Sequence, residues 1–260
     1  MALTHAHHDG RAAFAWDDLL QAMTTVEAGT AVGVEYIAEE TRAVAIHEAG
    51  HAACAHVFMP DAESTRLSIR MRAGSLGHHM ALEKEERFSS WHHQEMGRLV
   101  WGLGAMAAER VFYGETSMGV GGDVQSVTTA AGFMVGAASM GPEPLDLDGK
   151  HDEVMPRFEE IGKRIMARTG AGGPADVEHN PVGAVFADPE KRALAARVLG
   201  QAYVQAHTFV AHNRAAIERI ADVVVERREL FGDELVELLE SVGLERPAID
   251  YSREETWPRL

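Results

Sequence analysis

Apolar residues recur at helical spacing along most of the chain. Between residues 39 and 59, Val44, His47, His51, Cys54 and Phe58 fall on one stripe, and Pro60 ends it. Leu67, Ile69 and Met71 then alternate with Arg66, Ser68, Arg70 and Arg72, the period of a half-exposed strand. After Ala73, Gly74 and Ser75 a second alternation, Leu76, His78, Met80 and Leu82, completes a predicted hairpin. Met96, Leu99, Leu103 and Met106 predict a long helix over 91–113, closed by Gly114. A Gly-rich turn over 118–122 leads into a further helix from Asp123 to about Met140. A loop rich in Pro, Asp and Gly covers 141–151, a short helix follows on Val154, Phe158, Ile161 and Ile165, and a second loop runs over 170–180. Asp188 and Pro189 supply an N-cap and a first-turn proline for another helix. The C-terminal third continues helical on Ile217, Ile220 and Val224, then Leu235, Leu238, Leu239 and Val242. The expected fold is mainly α with one small β-hairpin, and it contains no internal repeat or heptad run.

Composition narrows the function classes. At 260 residues with 46% hydrophobic and 25% charged positions, the chain can bury a sizeable core as one large domain or two small ones. Lys and Arg number 24 against 40 Asp and Glu, a formal charge of −16, which argues against nucleic acid or an anionic membrane as the main partner. The single cysteine, Cys54, excludes a disulfide framework and suits a reducing compartment. The first ten residues lack the apolar core of a secretory signal, and the longest uncharged run, 124–142, is too polar to make a good membrane span. A soluble, cytoplasmic chain is expected. Its fourteen histidines direct attention to metal binding.

His47-Glu48-Ala49-Gly50-His51 is an HExxH motif within a predicted helix. A spacing of four puts both imidazoles on one face, where they can share a tetrahedral ion. Glu48 can reach a water at that ion without being a ligand. Zinc lowers the pKa of such a water toward about 7, and a carboxylate can then take its proton for attack on a peptide carbonyl. The plainer reading is two histidines satisfied in a core. A third ligand must come from elsewhere. The metzincin pattern is excluded, because Val57 stands where its third histidine would fall and His56 is out of phase. Two carboxylates remain. Glu109, on a predicted helix, would be a gluzincin-like ligand or an ion-pair partner. Asp123, after the Gly-rich turn, would be a ligand or a plain N-cap. Spacing leaves the two open.

The segment Thr41-Arg-Ala-Val-Ala-Ile-His-Glu-Ala-Gly-His-Ala resembles the zinc helix of the FtsH-type, AAA-linked metalloproteases. Residues 65–77 resemble that family's strand and glycine turn, 104–123 its second signature, and 212–239 its C-terminal helices. Together these matches cover roughly 38–140 and 188–242. The resemblance implies a zincin-type helical peptidase domain over 38–245, with zinc held by His47, His51 and Asp123 and with Glu48 as general base. Glu109 then becomes a nearby structural carboxylate. Polypeptide substrates in an unfolded or extended state, a homo-oligomeric ring (a hexamer) and an AAA ATPase working in cis or in trans are implied in the same way. The chain departs from the family pattern at Gly122, where the family has Asn, and over the variable stretch 141–187. No G-x-x-x-x-G-K-[ST] phosphate loop occurs, since Gly149-Lys150 and Gly162-Lys163 lack its other residues. Residues 1–37 nevertheless look like the end of an ATPase lid, and 246–260 form a C-terminal tail. The expectation is therefore a zinc endopeptidase whose motor lies upstream in a longer protein or on another chain. The rival is a catalytically silent assembly or adaptor protein on the same fold.

In the resembled family the strand containing Leu67, Ile69 and Met71, with Gly74, borders the zinc cleft and accepts extended peptide along its main-chain edge. These four are the expected substrate-binding residues. Arg66, Arg70 and Arg72 are expected on a solvated face. His5, His7 and His8 belong to the terminus, adjacent pairs such as His78-His79 and His92-His93 point to different faces, and Cys54 fills the core.

Overall fold

The computed structural model describes residues 1–29, 36–72, 76–167 and 181–260. Gly74 and the predicted loop over 170–180 lie outside the described residues. Helices α1 (Ala2–His8) and α2 (Trp16–Ala28) pack on each other and are tied by Arg11, whose guanidinium donates to Asp18 at 2.6 and 2.7 Å.

Helix α3 (Ala38–Phe58) carries the HExxH motif and stops just before Pro60, as its stripe predicts. Strands β1 (Ala62–Ser68) and β2 (His78–Glu83) form the expected antiparallel hairpin. Helix α4 (His92–Tyr113) closes at Gly114, which adopts the left-handed conformation at φ 76°. Helices α3 and α4 cross with their backbones in contact. A Cβ on Gly50 would lie 2.6 Å from the Gly104 carbonyl oxygen, and a Cβ on Gly104 would lie 2.6 Å from that of Gly50. This closeness accounts for the run of alanines in α3, with Ala45, Ala49, Ala52 and Ala53 fully buried.

A 3₁₀ turn over Met118–Val120 leads to α5 (Gly121–Ala137), followed by α6 (His151–Met166), α7 (Pro181–Ala187) and α8 (Pro189–His212). Helix α8 is the buttress of the core and packs on α4, α5 and α6. Asp188 caps it by accepting from the N–H groups of Glu190 and Lys191 at 2.9 and 3.2 Å. Helices α9 (Arg214–Arg227) and α10 (Gly232–Ser241) flank a short third strand, β3 (Glu229–Phe231).

Helix α6, within the variable stretch, is part of this core. Val154, Phe158, Ile161 and Ile165 bury one face of α6 against α8, and the two helices meet where Gly162 faces Ala196 and Gly200 faces Phe158. A Cβ on Gly162 would fall 1.7 Å from the Ala196 carbonyl oxygen, a backbone atom that cannot swing aside. Gly162→Ala is therefore expected to destabilise the fold by about 1–3 kcal/mol through overpacking. Gly141→Ala, with nothing near its Cβ, should stay within about 0.5 kcal/mol of wild type. Paired thermal melts check this. The C-terminal tail seats on the same helix, with the Tyr251 and Trp257 rings 5.4 and 5.3 Å from that of Phe158.

The sheet corrects two expectations. Its order is β2-β1-β3, so β1 is central, and Leu67 pairs with His79 on one side and Leu230 on the other. The Ile69 N–H is also taken, by the Arg228 carbonyl at 3.1 Å. Leu67 is thus paired on both sides, while Ile69 and Met71 lie just beyond the strand. Among the described residues, the sheet edge near the HExxH helix is that of β2. Nor is the arginine strip a solvated face: Arg66 is fully buried against Glu229 of β3, with its guanidinium 4.8 Å from the Phe231 ring centre, and Arg72 is also buried. Only Arg70 is exposed. The counter-charge comes from a strand too short to register in the hydrophobic pattern.

Candidate metal centre

The i, i+4 spacing on α3 places the His47 and His51 rings side by side, with centroids 5.1 Å apart. Each ring is fixed from behind. His47 Nδ1 lies 2.9 Å from Glu109 Oε1, and His51 Nδ1 lies 2.8 Å from the carbonyl oxygen of Trp101. Both partners are acceptors, so both Nδ1 atoms carry the proton and both Nε2 lone pairs are left free. Glu109 is held in turn by the Ser117 hydroxyl at 2.9 Å and by the Ser117 N–H. Burial works against its charge, but His47 and Ser117 outweigh it and keep the carboxyl below its ordinary range.

Asp123 enters from the third residue of α5, not as its N-cap. Its Oδ2 lies 3.4 Å from His47 Nε2 and 3.5 Å from His51 Nε2. These separations are long for charged hydrogen bonds, which run to about 2.7–2.9 Å. They match the spacing of about 3.3 Å between ligand atoms of a tetrahedral ion with bonds of about 2.0–2.1 Å. Asp123 Oδ2 is also buried without a hydrogen-bond partner, while all three ligand atoms lie within 4.8 Å of one another. A buried carboxylate oxygen left unpaired beside two free imidazole lone pairs fits a divalent cation. Among the described residues no other His, Cys, Asp and Glu set is grouped this way.

Glu48 is buried beside Gly77, the residue before β2, and is close enough to His47, His51 and Asp123 to feel their charges. A Cβ on Gly77 would stand 2.5 Å from Glu48 Oε1. Burial pushes the Glu48 carboxyl above its ordinary range, with His47 and His51 pulling it back. The structure thus brings together His47, Glu48, His51 and Asp123, and it places Leu67, Ile69 and Met71 in or just beyond the paired part of the sheet. The Trp101 carbonyl escapes sequence reading, because a backbone acceptor leaves no side-chain signal. Gly77 was within reach, since it closes the Leu-Gly pair of the matched glycine turn.

The model of peptidase family M41 matches residues 35–167. Among similar proteins, the ATP-dependent zinc metalloprotease FtsH 3 of Symbiobacterium thermophilum is 28% identical over 211 residues, covering 80% of this chain and 31% of that protein. FtsH 2 of Sphaerobacter thermophilus is 31% identical over 238 residues, covering 90% and 32%. The chloroplastic FTSH 6 of Arabidopsis thaliana is 31% identical over 202 residues, covering 75% and 27%. The chain spans about a third of the length of the curated relatives it matches.

Proposed function

The chain belongs to peptidase family M41, and from that premise we propose that it is a zinc-dependent endopeptidase acting on unfolded or extended polypeptide. The observation that carries this reading is the unpaired, buried Asp123 Oδ2 set between the free Nε2 atoms of an HExxH pair. His47, His51 and Asp123 would hold the ion. Zinc, when bound, supplies Lewis acidity, which polarises a peptide carbonyl and makes a water acidic near neutral pH. Glu48 would take that water's proton and later return it to the leaving amine. Glu109 and the Trp101 carbonyl keep both imidazoles in the tautomer that presents Nε2. The substrate would lie as an added strand along the outer edge of β2, which begins one residue after Gly77, the neighbour of Glu48.

This placement makes Gly77 a sensitive position. Gly77→Ala would force the Glu48 carboxyl aside, and a shift of about 1 Å in a reacting group can cost about 100-fold. We expect kcat to fall by about that factor with zinc content unchanged, as measured by peptide kinetics and metal analysis.

No helix among the described residues is long and apolar enough to cross a membrane. A cytoplasmic location, assembly into a ring of like subunits and coupling to an ATPase in cis or in trans belong to the same proposal. Its support is that the relatives are named ATP-dependent, while no phosphate loop occurs in these 260 residues. Opening a folded substrate costs about 5–15 kcal/mol, and a zinc cleft supplies no such work. The test measures zinc content and the hydrolysis of casein and of a tightly folded, loop-poor protein, each with and without ATP and a chelator. One zinc per chain, slow casein cleavage indifferent to ATP and abolished by chelator, and survival of the folded substrate are expected. ATP-stimulated degradation of the folded protein by this chain alone would overturn the division of labour. A chain that neither holds zinc nor cuts casein would return the reading to the silent adaptor.

A further inference from the structure

We infer that His79 is a positioning residue for the metal centre, acting on His51 through Trp101; the inference rests on the metal-site reading above. His79 sits on β2, two residues after Gly77, and is buried. The Trp101 indole Nε1–H donates to His79 Nδ1 at 3.0 Å. An indole can only donate, so Nδ1 must be the acceptor and the proton of the neutral ring lies on Nε2. That nitrogen is 2.9 Å from Ser64 Oγ on the neighbouring strand β1. The same Trp101 that is anchored through its side chain offers its backbone carbonyl to His51 Nδ1 at 2.8 Å. The rings follow the bonds, since Trp101 meets His79 and His51 edge-on at centroid distances of 5.9 and 6.3 Å.

The result is an unbroken chain from the sheet to a metal-site imidazole, running Ser64, His79, Trp101 and His51. Its effect is geometric. Helix α4 is fixed at this level on two further sides: a Cβ on Gly102 would lie 2.4 Å from Val127 of α5, and Gly104 touches Gly50 of α3. The bond to His79 adds the third constraint, toward β2. Together they set where the Trp101 carbonyl stands and so which way His51 Nε2 points. Neither His79 nor Trp101 touches the ion site, and neither lies in the HExxH motif or the Gly-rich turn. The link also joins the strand proposed to receive substrate to one of the ligands.

The test compares wild type with His79→Leu, Trp101→Phe, the double variant and His79→Asn. Zinc affinity is read by competition with a chromophoric chelator, and ligand geometry by the visible absorption of the cobalt-substituted protein. Thermal melts identify variants that keep the fold. Each single variant should weaken zinc about tenfold, the lower end for a supporting residue, and alter the cobalt spectrum. The double variant should be no weaker than the worse single, because both cut the same link. His79→Asn, whose side-chain oxygen can accept from the indole, should recover most of the affinity. Peptide kcat should fall with KM little changed. If His79→Leu fails to fold, Trp101→Phe decides alone, since it keeps a smaller aromatic ring in place, removes the donor, and leaves the backbone carbonyl. Wild-type affinity and an unchanged cobalt spectrum in the folded variants, or additive losses in the double, would overturn the inference. A wild-type protein that takes up neither zinc nor cobalt would overturn the metal-site reading instead.

Discussion

Glu48→Gln is expected to retain zinc and fold while losing peptide hydrolysis by about 100- to 10,000-fold. The amide has the size of the carboxylate and fills the same place beside Gly77. It cannot take a proton from water, so the chemical step loses its base. The fold should not suffer, because the variant replaces an ionisable group whose charge is disfavoured by burial with a neutral one. A thermal melt at or above that of wild type, normal zinc content and absent turnover form the expected signature. Near wild-type turnover would remove Glu48 from the role of base.

Asp123→Ala should have the largest effect on metal. It deletes one of three groups that meet at a single point, and the two histidines alone make a poor site. Zinc affinity should fall by well over the 10- to 100-fold typical of residues that only support ligands. Glu109→Ala supplies the contrast. Glu109 touches His47 through Nδ1, on the far side from Asp123, so its loss should weaken zinc within that 10- to 100-fold range and leave the site filled at saturating metal. Metal titration of the two purified variants separates them. The reverse order would make Glu109 the third ligand.

The helices on either side of the site were legible in the sequence for local reasons. Pro60 and Gly114 end α3 and α4 where the apolar stripes end, and the HExxH spacing announces a shared face. The proposed third ligand was not legible from spacing. Glu109 and Asp123 both fall within reach of α3, and one of them serves the centre from behind an imidazole while the other faces the lone pairs. Only three-dimensional direction separates these roles, and the family resemblance stood in for it. Strand β3 was missed because three residues carry no period, and that omission had two effects. Without Glu229 the arginines looked solvated, and without Leu230 the central strand looked like an edge. Helix α6 was read correctly from Val154, Phe158, Ile161 and Ile165, but its seat against α8 depends on Gly162 and Gly200, which in one dimension look like helix-weakening residues.

The crossing of α3 and α4 also decides where the cleft can breathe. Two backbones that touch at Gly50 and Gly104, with only Ala108 and Cys54 close by, leave little room for these helices to slide or tilt without a clash. The floor of the cleft is therefore stiff, and both histidines ride on it. The walls carry exposed apolar side chains. Met118 projects almost wholly into solvent from the turn ahead of Asp123, and Leu76, just before β2, stands half-exposed close to Gly119 of the same turn. Under the proposed reading, a peptide would pass these two apolar side chains to reach the imidazoles.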